Sequence, residues 1–96
     1  MNEEEARELL KSELEHFYNL PYDELTDWVY KPSVIKNVQG NGAAYQVEIK
    51  VVWNQHVRED VCVIGAIHDG GWRALLPLLE SFVVTPQGGI RKTRGI

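Results

Sequence analysis

His68 and Asp69 stand side by side, and this pair is the most suggestive chemistry in the chain. A histidine beside a carboxylate is the raw material of a general base with an orienting partner. Neighbours in a strand point to opposite faces, however. The simpler reading is a histidine that ends a strand and an aspartate that starts a turn. His56, Glu59 and Asp60 offer nitrogen and oxygen donors in one polar stretch. Two or three such donors in a loop carry no coordination geometry of their own. His16 falls near the end of a helical segment, where an imidazolium suits the negative end of the helix dipole.

Cys62 is the only cysteine, so one chain can build neither an internal disulfide nor a cysteine-based zinc site. It lies in the apolar run Val61-Cys62-Val63-Ile64 and reads as a small buried hydrophobe. A reactive thiolate wants an open, cationic setting. Gly40-Asn41-Gly42 begins like a dinucleotide fingerprint, but the third glycine is missing and a strand follows where a helix is needed. Ser12, Ser33 and Ser81 stand in no nucleophile-elbow context. No catalytic residue, metal ligand or cofactor site is assigned, and the expectation leans away from an enzyme. Trp28, Trp53 and Trp72 are large enough to line a pocket or an interface, and in so small a chain they read first as core.

The elements that would position these residues follow from periodicity. Ala6, Leu9, Leu10, Leu14 and Phe17 recur at helical spacing, which predicts an amphipathic helix over about residues 3–19. Asn2 and Glu5 form a box-like start, and Pro21 stops the helix. A shorter helix is predicted from Pro21, with Tyr22, Leu25, Trp28 and Val29 facing inward, ended by Pro32. The period then changes. Tyr45, Val47, Ile49, Val51 and Trp53 alternate with Gln46, Glu48 and Lys50, the clearest strand in the chain. Val34–Gln39 is a weaker strand before it, ending in the Gly40-Asn41-Gly42 turn. Val61–His68 is a third strand, followed by the turn Asp69-Gly70-Gly71.

Residues 72–85 fit two periods. Trp72, Leu75, Leu76, Leu79 and Phe82 suit a helix, whereas Trp72, Ala74, Leu76, Leu78, Phe82 and Val84 suit a strand. Pro77 would cost a helix interior about 3 kcal/mol. A long fourth strand, bent or bulged near Pro77, is therefore expected. Residues 1–86 read as one domain and residues 87–96 as a flexible basic tail.

Composition sets the outer bounds. The chain has 96 residues, 44% apolar and 25% charged, which suits one folded domain with no room for a second. Residues 1–30 hold nine acids against Arg7 and Lys11, and residues 31–96 hold five acids against eight bases. This acidic half reads as a solvated helix face. A nucleic-acid partner is not expected, because only Arg91, Lys92 and Arg94 gather basic charge. No apolar run nears the roughly 20 residues that span a bilayer. The start Met-Asn-Glu-Glu-Glu is acidic where a signal peptide is basic, so a cytoplasmic protein is expected.

The class is α+β: an N-terminal helix and a short second helix packed on a four-stranded antiparallel sheet. Helices cover one face of such a sheet. Yet Val61, Val63 and Ile67 lie on one face of the third strand and Cys62, Ile64 and Ala66 on the other. A strand apolar on both faces expects cover on both. Gly65, in mid-strand, would permit a bulge and a strong curl. The leading expectation is a non-enzymatic assembly module that homodimerises through the second face, using Val52, Cys62, Ile64 and Ala66 with Leu75, Leu79 and Val83. The alternative is a binder of a small apolar ligand, or a minimal enzyme, with a pocket near Trp53, His68 and Trp72.

Helix-first order and size together resemble the cystatin-like arrangement, in which a curled antiparallel sheet wraps one helix. Larger nuclear-transport-factor-like proteins elaborate that plan into a cone with a pocket. The stretch Ile67-His68-Asp69-Gly70-Gly71-Trp72-Arg73, with Pro77 and Phe82 downstream, is also similar to small bacterial proteins of unknown function. The likeness spans about residues 45–89 and implies a fold, not a site. Cystatin inhibitors carry Gln-Val-Val-x-Gly in their central loop. Here the comparable loop, residues 54–60, has no glycine, so protease inhibition is not implied. The enzymes of the cone fold have longer chains, with extra helices that close the pocket.

Overall fold

Asn2 begins the first helix as the sequence predicts: its Oδ1 accepts the Glu5 backbone N–H at 3.0 Å. The early acids Glu3, Glu4 and Glu5 then sit at the positive end of the dipole. In the computed structural model, which describes the backbone of residues 1–94 and the side chains of residues 1–91, α1 spans Glu3–Tyr18. Asn19 closes it, donating from Nδ2 to the Glu15 carbonyl at 3.0 Å. After Pro21, α2 spans Tyr22–Trp28. Its Tyr22 hydroxyl donates to the Glu59 carbonyl at 2.6 Å and pins the helix to a distant loop.

Five strands follow: β1 Val34–Gln39, β2 Ala44–Trp53, β3 Val61–His68, β4 Leu78–Val84 and β5 Ile90–Arg94. They lie in the order β1-β2-β3-β4-β5, every neighbour antiparallel. Over the described residues the chain is thus an α+β fold of two helices packed on a five-stranded meander.

Both helices lie on one face of the sheet. α1 packs on β2, β3 and β4, and α2 on β2 and β3. Ala6, Leu10, Leu14 and Phe17 of α1 and Leu25 of α2 meet Tyr45, Val47, Ile49 and Val51 of β2 and Val61, Val63 and Ile67 of β3. Phe82 and Val84 of β4 complete the core. Each large apolar side chain buried there contributes roughly 1.5–3 kcal/mol. Gly65 lies beneath α1. A Cβ on it would stand 2.9 Å from Leu10 Cδ1 and 3.0 Å from Leu14 Cδ2, so the missing side chain lets the helix settle on β3.

Three expectations are corrected. The sheet has five strands, not four: residues 90–94, assigned to the basic tail, pair with β4 from Val84↔Ile90 to Glu80↔Arg94. The long bent strand over 72–85 is two elements, a 3₁₀ turn over Gly71–Ala74 and then β4 from Leu78. Pro77 stands between them, where its missing N–H disturbs neither. Gly65 makes no bulge, since β3 keeps continuous register with both neighbours, Ile49↔Gly65 and Gly65↔Glu80. Among the described residues no helix is long and apolar enough to cross a membrane.

Candidate functional site

The registers fix what the helix-free face displays. Successive rows across it read Val52-Cys62-Val83-Arg91, then Lys50-Ile64-Ser81, then Ile35-Glu48-Ala66-Leu79. A last row carries Asn37, Gln46 and His68. Val52, Cys62, Ile64, Ala66 and Leu79 therefore share this face, half-buried by their neighbours, with no helix over them. Charge sits among them as Glu48 and Lys50. Burial pushes the Cys62 thiol up from its ordinary range, so it stays protonated.

Two of the seven predicted contact residues behave differently. Val83 is on the face but only 3% exposed, and it lies outside the main core. Beside it, Arg91 of β5 reaches Asp60, just before β3, with Nη2 2.9 Å from Oδ2. The ion pair spans β4 and shades that end of the face. Leu75 is not on the sheet at all: it follows the 3₁₀ turn and is 83% exposed.

The predicted pocket residues do not come together. Trp53 pairs with Val61 at one end of β2 and β3 and packs against the core, its ring 6.4 Å from that of Tyr30. His68 is seven residues along β3 from Val61, roughly 23 Å at strand rise, and on the other face. Trp72 is on the 3₁₀ turn and 64% exposed. The core reading thus suits Trp28 and Trp53 and fails for Trp72. Nor does Asp69 orient His68: its carboxylate faces the amino group of Met1 at 3.7 Å, while the imidazole bonds Gln46 and Gly70.

A different concavity exists. A groove of about 230 Å³ runs between α1 and β4, lined by Lys11, Leu14, Glu15, Tyr18, Glu80 and Phe82. The Tyr18 and Phe82 rings lie 4.8 Å apart. It is smaller than the roughly 300–1,000 Å³ of usual small-molecule sites.

Sequence reasoning missed the turn after β3 as a surface. Trp72, Leu75 and Leu76 are all mostly exposed within five residues. The turn is held from behind. The Arg73 guanidinium pairs with Glu3, donates to the Leu76 carbonyl at 3.4 Å and stacks 4.6 Å from the Trp72 ring centroid. The available signal was Arg73 between apolar residues, after two glycines and ahead of Pro77.

Set against known protein families, curated proteins and solved structures, the chain matches none of them.

Proposed function

We propose that the chain is a non-enzymatic binding and assembly module that pairs with a second copy through the helix-free face of its sheet. One observation carries this: β3 is apolar on both faces, and both helices lie on the same one. Cys62, Ile64 and Ala66, flanked by Val52 and Leu79, are what a facing sheet would cover. Twofold pairing is the commonest assembly of soluble chains. Glu48 and Lys50 side by side make the face self-complementary in charge. The helix-first order keeps the cystatin-like comparison as part of this reading. A cytoplasmic setting belongs to it too, since a lone thiol suits a reducing compartment. No cofactor enters it.

Native mass spectrometry tests the proposal directly. A mass twice that of the chain, reduced to one by Ile64→Lys with the far-ultraviolet circular dichroism kept, is the expected result. A bare monomer at tens of micromolar would overturn it.

The groove beside α1 favours a second reading, in which the chain holds a small apolar ligand. Leu14, Tyr18 and Phe82 supply the surface, and the volume limits the guest to a short chain or a single ring. A monomer carrying an extra small mass in the same measurement would support this reading over assembly.

A further inference from the structure

We propose that His68 is a proton-sensitive latch that sets the pose of the exposed apolar segment Trp72, Leu75 and Leu76. The imidazole is held at both nitrogens. Nδ1 accepts the Gly70 backbone N–H at 3.0 Å, and Nε2 lies 3.2 Å from Gln46 Oε1. Only one protonation state satisfies both contacts: Nδ1 bare and Nε2 carrying the hydrogen, donated to Gln46. A second proton on the ring would set an N–H against the Gly70 N–H.

The bond at stake shapes the chain where direction is decided. Gly70 has φ +93° and Gly71 φ +59°, conformations that side-chain-bearing residues rarely adopt. These two residues turn the chain out of β3 and aim the 3₁₀ turn. Downstream, Leu75 N–H bonds the Trp72 carbonyl and Leu76 N–H the Arg73 carbonyl, so the segment moves as a piece. Arg73 is tethered to Glu3 on α1, which supplies a pivot. Losing the Gly70 bond frees the other end of that piece.

The two groups that the ring bonds, the Gln46 amide and the Gly70 N–H, are uncharged. β2 offers Gln46 and, next on the same face, Glu48; β1 offers Asn37; β4 begins there with apolar Leu78 and Leu79. Asp69 is occupied by the Met1 amino group and Arg73 by Glu3. A proton added at Nδ1 takes the lone pair that the Gly70 N–H uses, so protonation and the Gly70 bond exclude each other. Histidine is the side chain whose unperturbed charge change falls between about pH 5 and 8, which sets the range to be searched.

The test is a nuclear magnetic resonance titration of the folded chain from about pH 8 to about pH 5, following the His68 ring, the Gly70 amide and the Leu75 and Leu76 methyls. The expected result is one shared midpoint for all four, with the Gly70 amide proton moving upfield as its bond is lost. His68→Asn keeps an acceptor where Nδ1 stood and does not titrate, so its Gly70, Leu75 and Leu76 signals should stay still over the same range. Gly70 and leucine signals that ignore the wild-type His68 titration would overturn the proposal. So would equal movement in His68→Asn.

Discussion

Glu5 Oε1 accepts the Tyr45 hydroxyl at 2.7 Å, joining the first turn of α1 to the start of β2 across 40 residues. Its other oxygen, Oε2, accepts the Asn41 N–H at 2.9 Å. The Tyr45 bond and then the Asn41 bond hold the Glu5 carboxyl below its ordinary 4.5, while the bond to Glu5 and burial push Tyr45 up to about 12. The two shifts act at opposite ends of the pH scale. Glu5 is depressed, so its stabilisation is complete above 4.5 and is lost as pH falls through the lowered value. Tyr45 is raised, so its stabilisation is complete below 10 and is lost between 10 and about 12. Thermal melts of Tyr45→Phe should show a lower midpoint at neutral pH and a weaker fall between those alkaline limits. An alkaline fall as steep as in the parent chain would remove the link.

Gly65→Ala should destabilise the fold although its backbone needs no glycine-only conformation. The new Cβ meets Leu10 and Leu14 at about van der Waals overlap, 2.9 and 3.0 Å. Both leucines are buried in the core, and overpacking of this kind costs about 1–3 kcal/mol. For a domain of this size that is a fall of at least several degrees in melting temperature. Leu14→Ala should be less harmful in the Gly65→Ala background than in the parent. A strictly additive double-mutant cycle would show that the helix does not rest on Gly65.

The ion pair of Arg91 with Asp60 should matter more to β5 than to the whole fold. Its side chains are 62% and 31% exposed, and exposed pairs contribute only about 0.2–1 kcal/mol. Yet β5 is an edge strand, and this pair ties it past β4 to β3. Arg91→Ala should leave the melting temperature within a few degrees while hydrogen exchange quickens at the amides of residues 90–94. Equal quickening in β2 and β5 would instead mean a global effect.

Legibility in the sequence tracked how local each cause was. β2 was plain because Tyr45, Val47, Ile49 and Val51 alternate with polar residues and are in fact the buried set. α1 was plain because its cap, its apolar stripe and Pro21 all act within one segment. β5 was not, since Ile90 is its only large apolar residue and its strand form comes from hydrogen bonds to β4. Gly65 was misread because a bulge and a close helix approach look alike until Leu10 and Leu14 are placed above it. The candidate face was legible from the alternation in β3, which put Cys62, Ile64 and Ala66 opposite the core. That Val83 is shaded and that Leu75 leaves the sheet depended on Asp60, Arg91 and the 3₁₀ turn, which no periodicity encodes.

Two apolar surfaces remain, and paired substitutions separate them. Ile64 is central on the helix-free face, with Lys50 and Ser81 on either side in register. Leu75 and Leu76 sit beyond the end of β4, and neither packs in the core. Ile64→Lys puts a charge where a facing sheet would close, and such a buried, unpaired charge is costly enough to split a dimer by orders of magnitude in affinity. Leu75→Ser with Leu76→Ser removes exposed apolar area and should leave the melting temperature unchanged or slightly raised. Sedimentation velocity over a concentration series reads both. Dissociation by Ile64→Lys alone assigns pairing to the sheet face and leaves the Trp72 segment for another contact. Dissociation by the leucine pair alone moves the interface to that segment, because a face that tolerates lysine at its centre is not buried against a partner.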